Sequence, residues 1–422
     1  MDDSVRGRLT TRSSLAALTL LGTFLAAGTM STAGLASQAP AVARRPAIRV
    51  LRLSGTPHQR GILHGKTMRA EIHELIGKWK KDLQQRSRMQ PDEFIRRFAA
   101  NTSFEKAIDK WTPGLLDEVR GIAKGAGVDY ETMFVYQLID EVWAQGHLAR
   151  RKAAHKCTSI GVSKNANHPT IVAQNIDIPR WYHGHQALLH ITDPGSGLQT
   201  FVVTIPGLVG ANGMNSARIG VCVNTLMQLA PAPDGLPVAF VVRGLLQRRT
   251  AKAAAAFLEE VTHASGQNYM IGGPRHARTY ECSAHRVAQF TPFADADRTW
   301  HTNFPVTNDE YNLGMIAAAK KRGQDLTTRM RTCPRFALLE KLLSKGTTVD
   351  FTRIVRALGS KDSRIPICNS STFACTIMEL GPVPRLHYSA GGNDESPLRI
   401  FEFDVPETRG ARAKTDKELR AP

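Results

Sequence analysis

The stretch Cys157-Thr-Ser-Ile-Gly-Val162 and the stretch Thr170-Ile-Val-Ala-Gln-Asn-Ile-Asp177 that follows it decide the fold. Both are short apolar runs, which is typical of buried strands, and the loop Asn165-Ala-Asn-His-Pro169 between them is rich in turn formers. The pattern predicts a β-hairpin with strands at 158–162 and 170–174. Pairing across this hairpin would return Asp177 to the neighbourhood of Cys157.

The regions on either side of the hairpin differ in their periodicity. Before it, apolar residues recur with helical spacing over residues 62–145, after a short strand at 48–53 and a turn-rich segment at 54–61. After it, strand patterns alternate with helical ones. The predicted strands lie at 188–192, 200–205, 219–224, within 268–291, and at 372–379, 385–389 and 398–403, and the predicted helices lie at 238–249, 251–264, 309–344 and 349–358. This order predicts an α+β fold, with two antiparallel sheets stacked between helical layers.

The first 36 residues have the three parts of a secretory signal peptide. Arg6, Arg8 and Arg12 precede an apolar run at 15–27, and small residues follow up to Ala36. The run is too short for a stable membrane span, although an uncleaved anchor stays an alternative. We therefore expect an exported protein, periplasmic or extracellular. The predicted organisation is a signal peptide (1–36), a mostly helical segment (37–156), a catalytic core (157–404) and a polar tail (405–422).

The composition, with 42% hydrophobic and 22% charged residues, excludes a disordered chain, a collagen and a polytopic membrane protein. The 55 Lys and Arg against 37 Asp and Glu give a net charge of +18, which favours anionic partners. No dense basic run is interleaved with aromatics, so nucleic acid is not an expected partner. The six cysteines show no zinc spacing and the chain has no nucleotide-binding glycine loop, so neither a metal nor a cofactor is expected.

Cys157 has the sequence context of an N-terminal nucleophile. It begins a strand directly after the polar stretch 149–156, whereas Cys222 and Cys375 lie inside apolar runs typical of buried thiols. A cut between Lys156 and Cys157 would free an α-amine with a pKa of about 7.7–8.0, suited to accept the thiol proton. Asp177 could hold that amine, or it could cap the turn before Pro179.

Two asparagines could donate a side-chain amide to an oxyanion. Asn215 precedes the strand at 219–224, and Asn303 lies in His301-Thr-Asn-Phe-Pro305. Taken alone, each is interpreted as a turn residue.

Four stretches together resemble the acyl-coenzyme A:6-aminopenicillanic-acid acyltransferase family of cysteine N-terminal-nucleophile (Ntn) hydrolases and, more distantly, the choloylglycine hydrolases. The resemblance extends over about residues 50–403. The stretches are Gly55-Thr-Pro-His-Gln-Arg-Gly-Ile-Leu-His-Gly65, the Cys157 hairpin up to Asp177, Gly213-Met-Asn-Ser-Ala-Arg-Ile-Gly-Val-Cys-Val-Asn224 and His301-Thr-Asn303.

The resemblance implies a four-layer αββα sandwich and a self-processing enzyme that attacks an amide or thioester. Cys157 would be the nucleophile, Asp177 would orient its amine, and Asn303 and Asn215 would stabilise the oxyanion. Ser159 matches a small hydroxyl residue near the nucleophile. The family also uses a late arginine, for which Arg364 is a candidate.

The resemblance also implies a small-molecule acyl or amide substrate and two fragments that stay associated after the cut. Lys156 departs from the small residue that is commoner before the nucleophile, which puts the efficiency of self-cleavage in doubt. A choloylglycine-hydrolase-like or acylase-like amidase without transfer activity stays an alternative, as does a basic binding protein on the same scaffold.

Overall fold

Two β-sheets packed face to face form the centre of the protein, as seen in a computed structural model that describes residues 48–144, 157–295, 297–321, 323, 333–362 and 364–405. The predicted signal peptide, Lys156 and residues 406–422 of the predicted tail lie outside the described residues. At Gly161 a Cβ atom would lie 2.9 Å from the side chains of Met270 and Ala277 on the opposite sheet. The sheets therefore approach too closely there for a larger residue.

The first sheet has eight strands in the described part of the chain. In spatial order they are β1 (Arg49–Leu53), β4 (Ala187–Thr192), β5 (Gln199–Thr204), β6 (Asn212–Asn215), β7 (Gly220–Thr225), β8 (Gln267–Gly272), β9 (Ala277–Cys282) and β10 (Val287–Phe290). Neighbouring strands pair antiparallel except β1 and β4, which run parallel with Arg49 opposite Ala187.

The second sheet contains the hairpin that begins after Cys157. Its strands, in spatial order and within the described residues, are β11 (Arg298–His301), β2 (Thr158–Val162), β3 (Ile171–Asp177), β12 (Thr372–Glu379), β13 (Arg385–Ala390) and β14 (Arg399–Glu402), all antiparallel. The predicted hairpin is confirmed. Its second strand continues to Asp177 because residues 171–177 also pair with β12.

Helices cover the outer faces of both sheets. The described helices are α1 (Pro57–Thr67), α2 (Arg69–Ser87), α3 (Pro91–Ala100), α4 (Phe104–Trp111), α5 (Leu115–Ala126), α6 (Tyr130–Tyr136), α7 (Ile139–Ala144), α8 (Val238–Leu246), α9 (Ala251–Glu260), α10 (Leu313–Lys320), α11 (Pro334–Leu342) and α12 (Phe351–Leu358). Helices α8 and α9 pack on the first sheet, and α11 and α12 pack on the second. The predicted α+β class, with two sheets between helical layers, is confirmed.

The predicted turn at 54–61 is wrong, because α1 already begins at Pro57. Thr56 and Gln59 form a capping box, and Pro57 occupies the first helical turn. The glycines that suggested a turn serve packing instead. A Cβ on Gly61 would lie 2.0 Å from the Glu118 carbonyl oxygen, and one on Gly121 would lie 2.3 Å from the His58 carbonyl oxygen. Helices α1 and α5 therefore meet backbone to backbone.

A buried carboxylate joins this helix pair to the helix layer of the first sheet. Glu118 on α5 accepts hydrogen bonds from Arg60 on α1 at 3.0 Å and from Arg243 on α8 at 2.7 Å and 3.0 Å. Burial disfavours the ionised carboxyl, but the two guanidinium groups outweigh it and hold the pKa of Glu118 below its usual value. Arg60 belongs to the first of the four family-like stretches, so that stretch has a structural role here.

None of the described helices is both long enough and apolar enough to cross a membrane.

The contact between α1 and α5 predicts opposite effects for two identical substitutions. Gly61→Ala should lower the free energy of unfolding by about 1–3 kcal/mol, since the new methyl group overlaps the α5 backbone. Gly77→Ala in α2 has nothing within 4 Å of the new methyl group and should raise the free energy by about 0.5–1 kcal/mol. Urea unfolding of both variants measures the difference. Equal effects would mean that α1 and α5 tolerate a wider spacing.

Candidate active site

The hairpin brings Cys157 and Asp177 together. Thr158 pairs with Asn175, so the residue before β2 meets the end of β3. The Asp177 amide donates a hydrogen bond to the Cys157 sulfur over 3.5 Å, and the thiol faces the Asp177 carbonyl oxygen at 3.9 Å. The Asp177 carboxylate is fully buried and accepts a hydrogen bond from the Asn369 amide at 2.6 Å. Asn369 is thus a site residue that the sequence did not reveal.

The Cys157 thiol is buried and needs a base to ionise. Its pKa is raised to about 12, first by burial and then by the negative charge of Asp177. A thiol with this pKa is almost entirely protonated near neutral pH. The environment described here therefore favours a mechanism in which a nearby group removes the proton during attack.

Arg335 connects the nucleophile to Asn303. Its Nη1 donates to the Cys157 carbonyl oxygen at 2.9 Å and to the Thr158 hydroxyl at 2.7 Å, while its Nη2 donates to the Asn303 side-chain oxygen at 3.2 Å. The Asn303 amide in turn donates to the Thr225 carbonyl oxygen at 3.2 Å. One guanidinium therefore fixes the first residue of β2 and the side chain of the predicted oxyanion donor.

The arginine that contacts Cys157 is Arg335, and not the candidate Arg364. Arg364 is exposed, and its backbone amide donates to the Asp362 carboxylate in a surface turn. One signal in the sequence could have indicated Arg335. Pro334 is typical of the first turn of a helix, and an arginine in that turn lies unfavourably in the field of the helix dipole, as is compatible with a role outside the helix.

The other two predicted site residues point elsewhere. Ser159 donates to the Asn224 side-chain oxygen at 2.7 Å, between the two sheets. Asn215 donates to the Leu246 and Arg248 carbonyl oxygens at 2.9 Å and 2.8 Å. It lies at the end of β6 beside the start of β7, whereas Thr225, the contact of Asn303, is at the far end of β7. The structure does not bring Asn215 to Cys157, which argues against the predicted oxyanion role.

Cys157 opens into a cavity of about 120 Å³ with mostly apolar walls. The apolar side chains come from the α6–α7 region, both sheets and the start of α8: Ile139, Trp143, Ile176, Ile178, Tyr182, Val203, Ile205, Leu208, Val223, Val238, Ala239 and Phe373. Neither Cys222 nor Cys375 lines this cavity. Among the described residues, no group of three or more His, Cys, Asp or Glu side chains is arranged to hold a metal ion.

A buried carboxylate supports the loop that carries Asn303. Glu281 on β9 accepts a hydrogen bond from His301 at 2.7 Å and from the backbone amides of Val306, Thr307 and Asn308 at 2.5–2.8 Å. Burial opposes ionisation of Glu281, but these donors outweigh it and lower its pKa. Residues 301–308 are thus wrapped around one negative charge.

Comparison with known proteins matches this chain to one family. The model of the acyl-coenzyme A:6-aminopenicillanic acid acyl-transferase family matches residues 163–369. The 40 kDa form of the Emericella nidulans acyl-coenzyme A:6-aminopenicillanic-acid-acyltransferase is 26% identical over 265 residues, which are 60% of this chain and 68% of the relative. The resemblance to this family is confirmed. Protein dcd1B of Dictyostelium discoideum is 20% identical over 47% of this chain and 43% of its own length.

Solved structures with some likeness include two hydrolases. The Caenorhabditis elegans ortholog of N-acylethanolamine-hydrolyzing acid amidase is 19% identical, with a TM-score of 0.39 over 59% of this chain and 100% of its own. The Agrobacterium tumefaciens penicillin V acylase is 13% identical, with a TM-score of 0.34 over 59% of this chain and 86% of its own.

The chain is thus an enzyme of the amidohydrolase or acyltransferase class, and its fold is the predicted αββα sandwich, with two sheets between helical layers.

The loop around Glu281 predicts a change in acid stability. Because folding lowers the pKa of Glu281, its ionised form stabilises the fold above the usual glutamate pKa, and this contribution is lost as the pH falls through the folded-state value. Glu281→Gln should lower the free energy of unfolding at pH 7 by about 1–3 kcal/mol and flatten its dependence on pH in the acid range.

Urea unfolding at several pH values between about 3 and 7, the range in which carboxyl groups titrate, measures the free energy of unfolding of each variant. Glu310→Gln is the matched control, since Glu310 accepts hydrogen bonds from Ser283 and His285 in the adjoining, partly exposed loop. A pH dependence equal to that of the wild type in the Glu281 variant would contradict the assignment.

Proposed function

We propose that the chain is an exported, self-processing cysteine amidohydrolase that cleaves amides of apolar acyl groups through a thioester on Cys157. The observation that carries this proposal is the position of the thiol. Cys157 immediately precedes β2, lines an apolar cavity and shares Arg335 with Asn303. The apolar walls suit a hydrocarbon acyl chain better than a charged one.

The proposed reaction begins with a cut between Lys156 and Cys157, which leaves a free α-amine on Cys157. In turnover this amine accepts the thiol proton while the sulfur attacks the substrate carbonyl carbon. The resulting oxyanion is stabilised by the Asn303 side-chain amide, and Asp177 holds the ammonium form of the α-amine. The carbon–nitrogen bond then breaks, the amine leaves with the proton from the ammonium group, and the acyl group stays on sulfur.

The thioester is resolved by water or by a second amine. Water releases a carboxylic acid and restores the thiol, whereas an amine gives a new amide. Export favours water, because acyl-coenzyme A is a cytoplasmic metabolite. Acyl transfer is the alternative outcome, and the ratio of free acid to new amide, measured with an added primary amine, distinguishes the two.

Buried contacts support the proposal that both fragments stay together after the cut. Glu118 on the N-terminal side binds Arg243 on the C-terminal side. The Gln137 side chain donates to the Gly207 carbonyl oxygen at 2.8 Å and accepts from the Val209 amide at 2.9 Å. These polar contacts are buried together with the apolar core that α2–α6 share with both sheets.

The proposal predicts two chains in the wild-type protein. Intact mass should give fragments of residues 37–156 and 157–422, and Cys157→Ala should give a single chain because it has no thiol to attack the preceding carbonyl. Cys222→Ala, which removes a buried thiol outside the cavity, is the control and should be cut as the wild type is. Cleavage of Cys157→Ala at the same bond would overturn self-processing.

Asn303 provides a test of the mechanism. Asn303→Ala should reduce kcat at least about 10²-fold while changing the melting temperature little, since an oxyanion donor acts mainly in the transition state. Asn308→Ala in the same loop is the matched control. Asn308 donates to Glu281, Ser283 and Arg286, so its loss should lower the melting temperature more than it lowers kcat. The reverse pattern would remove Asn303 from the oxyanion site.

A further inference from the structure

Asp140 is an acidic side chain on the wall of the Cys157 cavity. The other described residues that line the cavity include no Lys, Arg, His, Asp or Glu. Asp140 is partly accessible, whereas the adjacent Glu141 is fully buried and does not line the cavity. The cavity therefore combines apolar walls with a single carboxyl group among the residues that the structure describes.

Hydrogen bonds connect the Asp140 carboxyl group to Thr225 and, through it, to Asn303. The Thr225 hydroxyl donates to Asp140 Oδ2 at 2.8 Å, and the Thr225 carbonyl oxygen accepts the hydrogen bond from Asn303. Asp140 is thus linked through one residue to the side chain that we assign to the oxyanion. The Gln267 amide also donates to Oδ2, at 3.0 Å. Both hydrogen bonds end on Oδ2, and none of the described residues donates a hydrogen bond to Oδ1.

A carboxylate in such surroundings is poorly compensated. Two neutral donors satisfy part of its hydrogen-bonding capacity, and no ion pair of Asp140 forms among the described residues. Burial accordingly raises its pKa, partly offset by the bonds from Thr225 and Gln267. An ammonium group entering the cavity would supply a positive charge beside the Asp140 carboxyl group and donate a hydrogen bond to it.

We propose that Asp140 selects substrates whose amine part carries an ammonium group within a few bonds of the scissile amide. The acyl chain then lies against the apolar walls, and the ammonium group is bound beside Thr225. This inference rests on the proposed function, since it assigns the amine side of the substrate to a residue of the same cavity. It names a chemical class, an N-acylated diamine or a similar cationic amide.

Three substrates of nearly equal size test the proposal in the processed wild-type protein. They are the octanoyl amides of 1,2-diaminoethane, ethanolamine and glycine, which place a positive, a neutral and a negative group at the same distance from the amide. We expect kcat/KM to fall in that order, with about a tenfold preference for the cationic over the neutral amide, as for a charge-assisted hydrogen bond. Equal kcat/KM values for the three would overturn the proposal without any variant.

Asp140→Asn keeps the shape and removes the charge, so the preference for the cationic amide should shrink to within about threefold. Glu141→Gln is the matched control. It removes the neighbouring carboxyl, which accepts hydrogen bonds from the Val238 amide and the Ser265 hydroxyl, and it should keep the wild-type order. A preference that survives in Asp140→Asn would overturn the assignment.

The outcomes separate this inference from the proposed function. If none of the three amides is cleaved and no acyl group becomes attached to Cys157, the proposed function itself fails. If all three are cleaved at equal rates, the enzyme is an amidase and only the role of Asp140 is wrong.

Discussion

The buried carboxylate of Glu118 is the contact on which the N-terminal half of the structure depends. Two arginines from different helices, Arg60 and Arg243, bind it away from water. Removing either arginine would leave a buried charge undercompensated, and such losses are typically strongly destabilising. Helix α5, which carries Glu118, can approach α1 this closely only because glycines line the contact between the two helices. Charge pairing and backbone contact thus fix one helix layer, and that layer forms part of the cavity wall through α8.

A second network of the same kind organises the reaction centre. Arg335 binds the Cys157 backbone and the Asn303 side chain with the same guanidinium, so that the nucleophile and Asn303 cannot shift independently. Glu281 fixes the loop that carries Asn303, because it accepts hydrogen bonds from both ends of that loop. In one network a buried arginine donates several hydrogen bonds, and in the other a buried carboxylate accepts several. Both hold their surroundings in a fixed arrangement, which catalysis by oriented dipoles requires.

The sequence predicted what depends on local pairing and missed what depends on distant contacts. The approach of Asp177 to Cys157 follows from strand pairing within one hairpin, so it could be read directly. The contact of Arg335 with Cys157 spans 178 positions along the chain and involves the start of a helix, which no local pattern reveals. An oxyanion role was predicted for Asn215 because its stretch resembles the family, but the order of residues along the chain does not tell which end of β6 lies near the nucleophile. The turn predicted at 54–61 was wrong for a similar reason, since Gly61 is required by the close contact with α5.

The parallel pairing of β1 with β4 has a consequence for how an activated molecule would unfold. Strand β1 precedes the proposed cut and β4 follows it, so after cleavage one continuous sheet would be assembled from two polypeptides. Unfolding would then also be dissociation, and its equilibrium would depend on protein concentration. The precursor can search for its fold within a single chain, whereas the separated fragments would have to meet first. Maturation of this kind would turn refolding from a unimolecular into a bimolecular reaction.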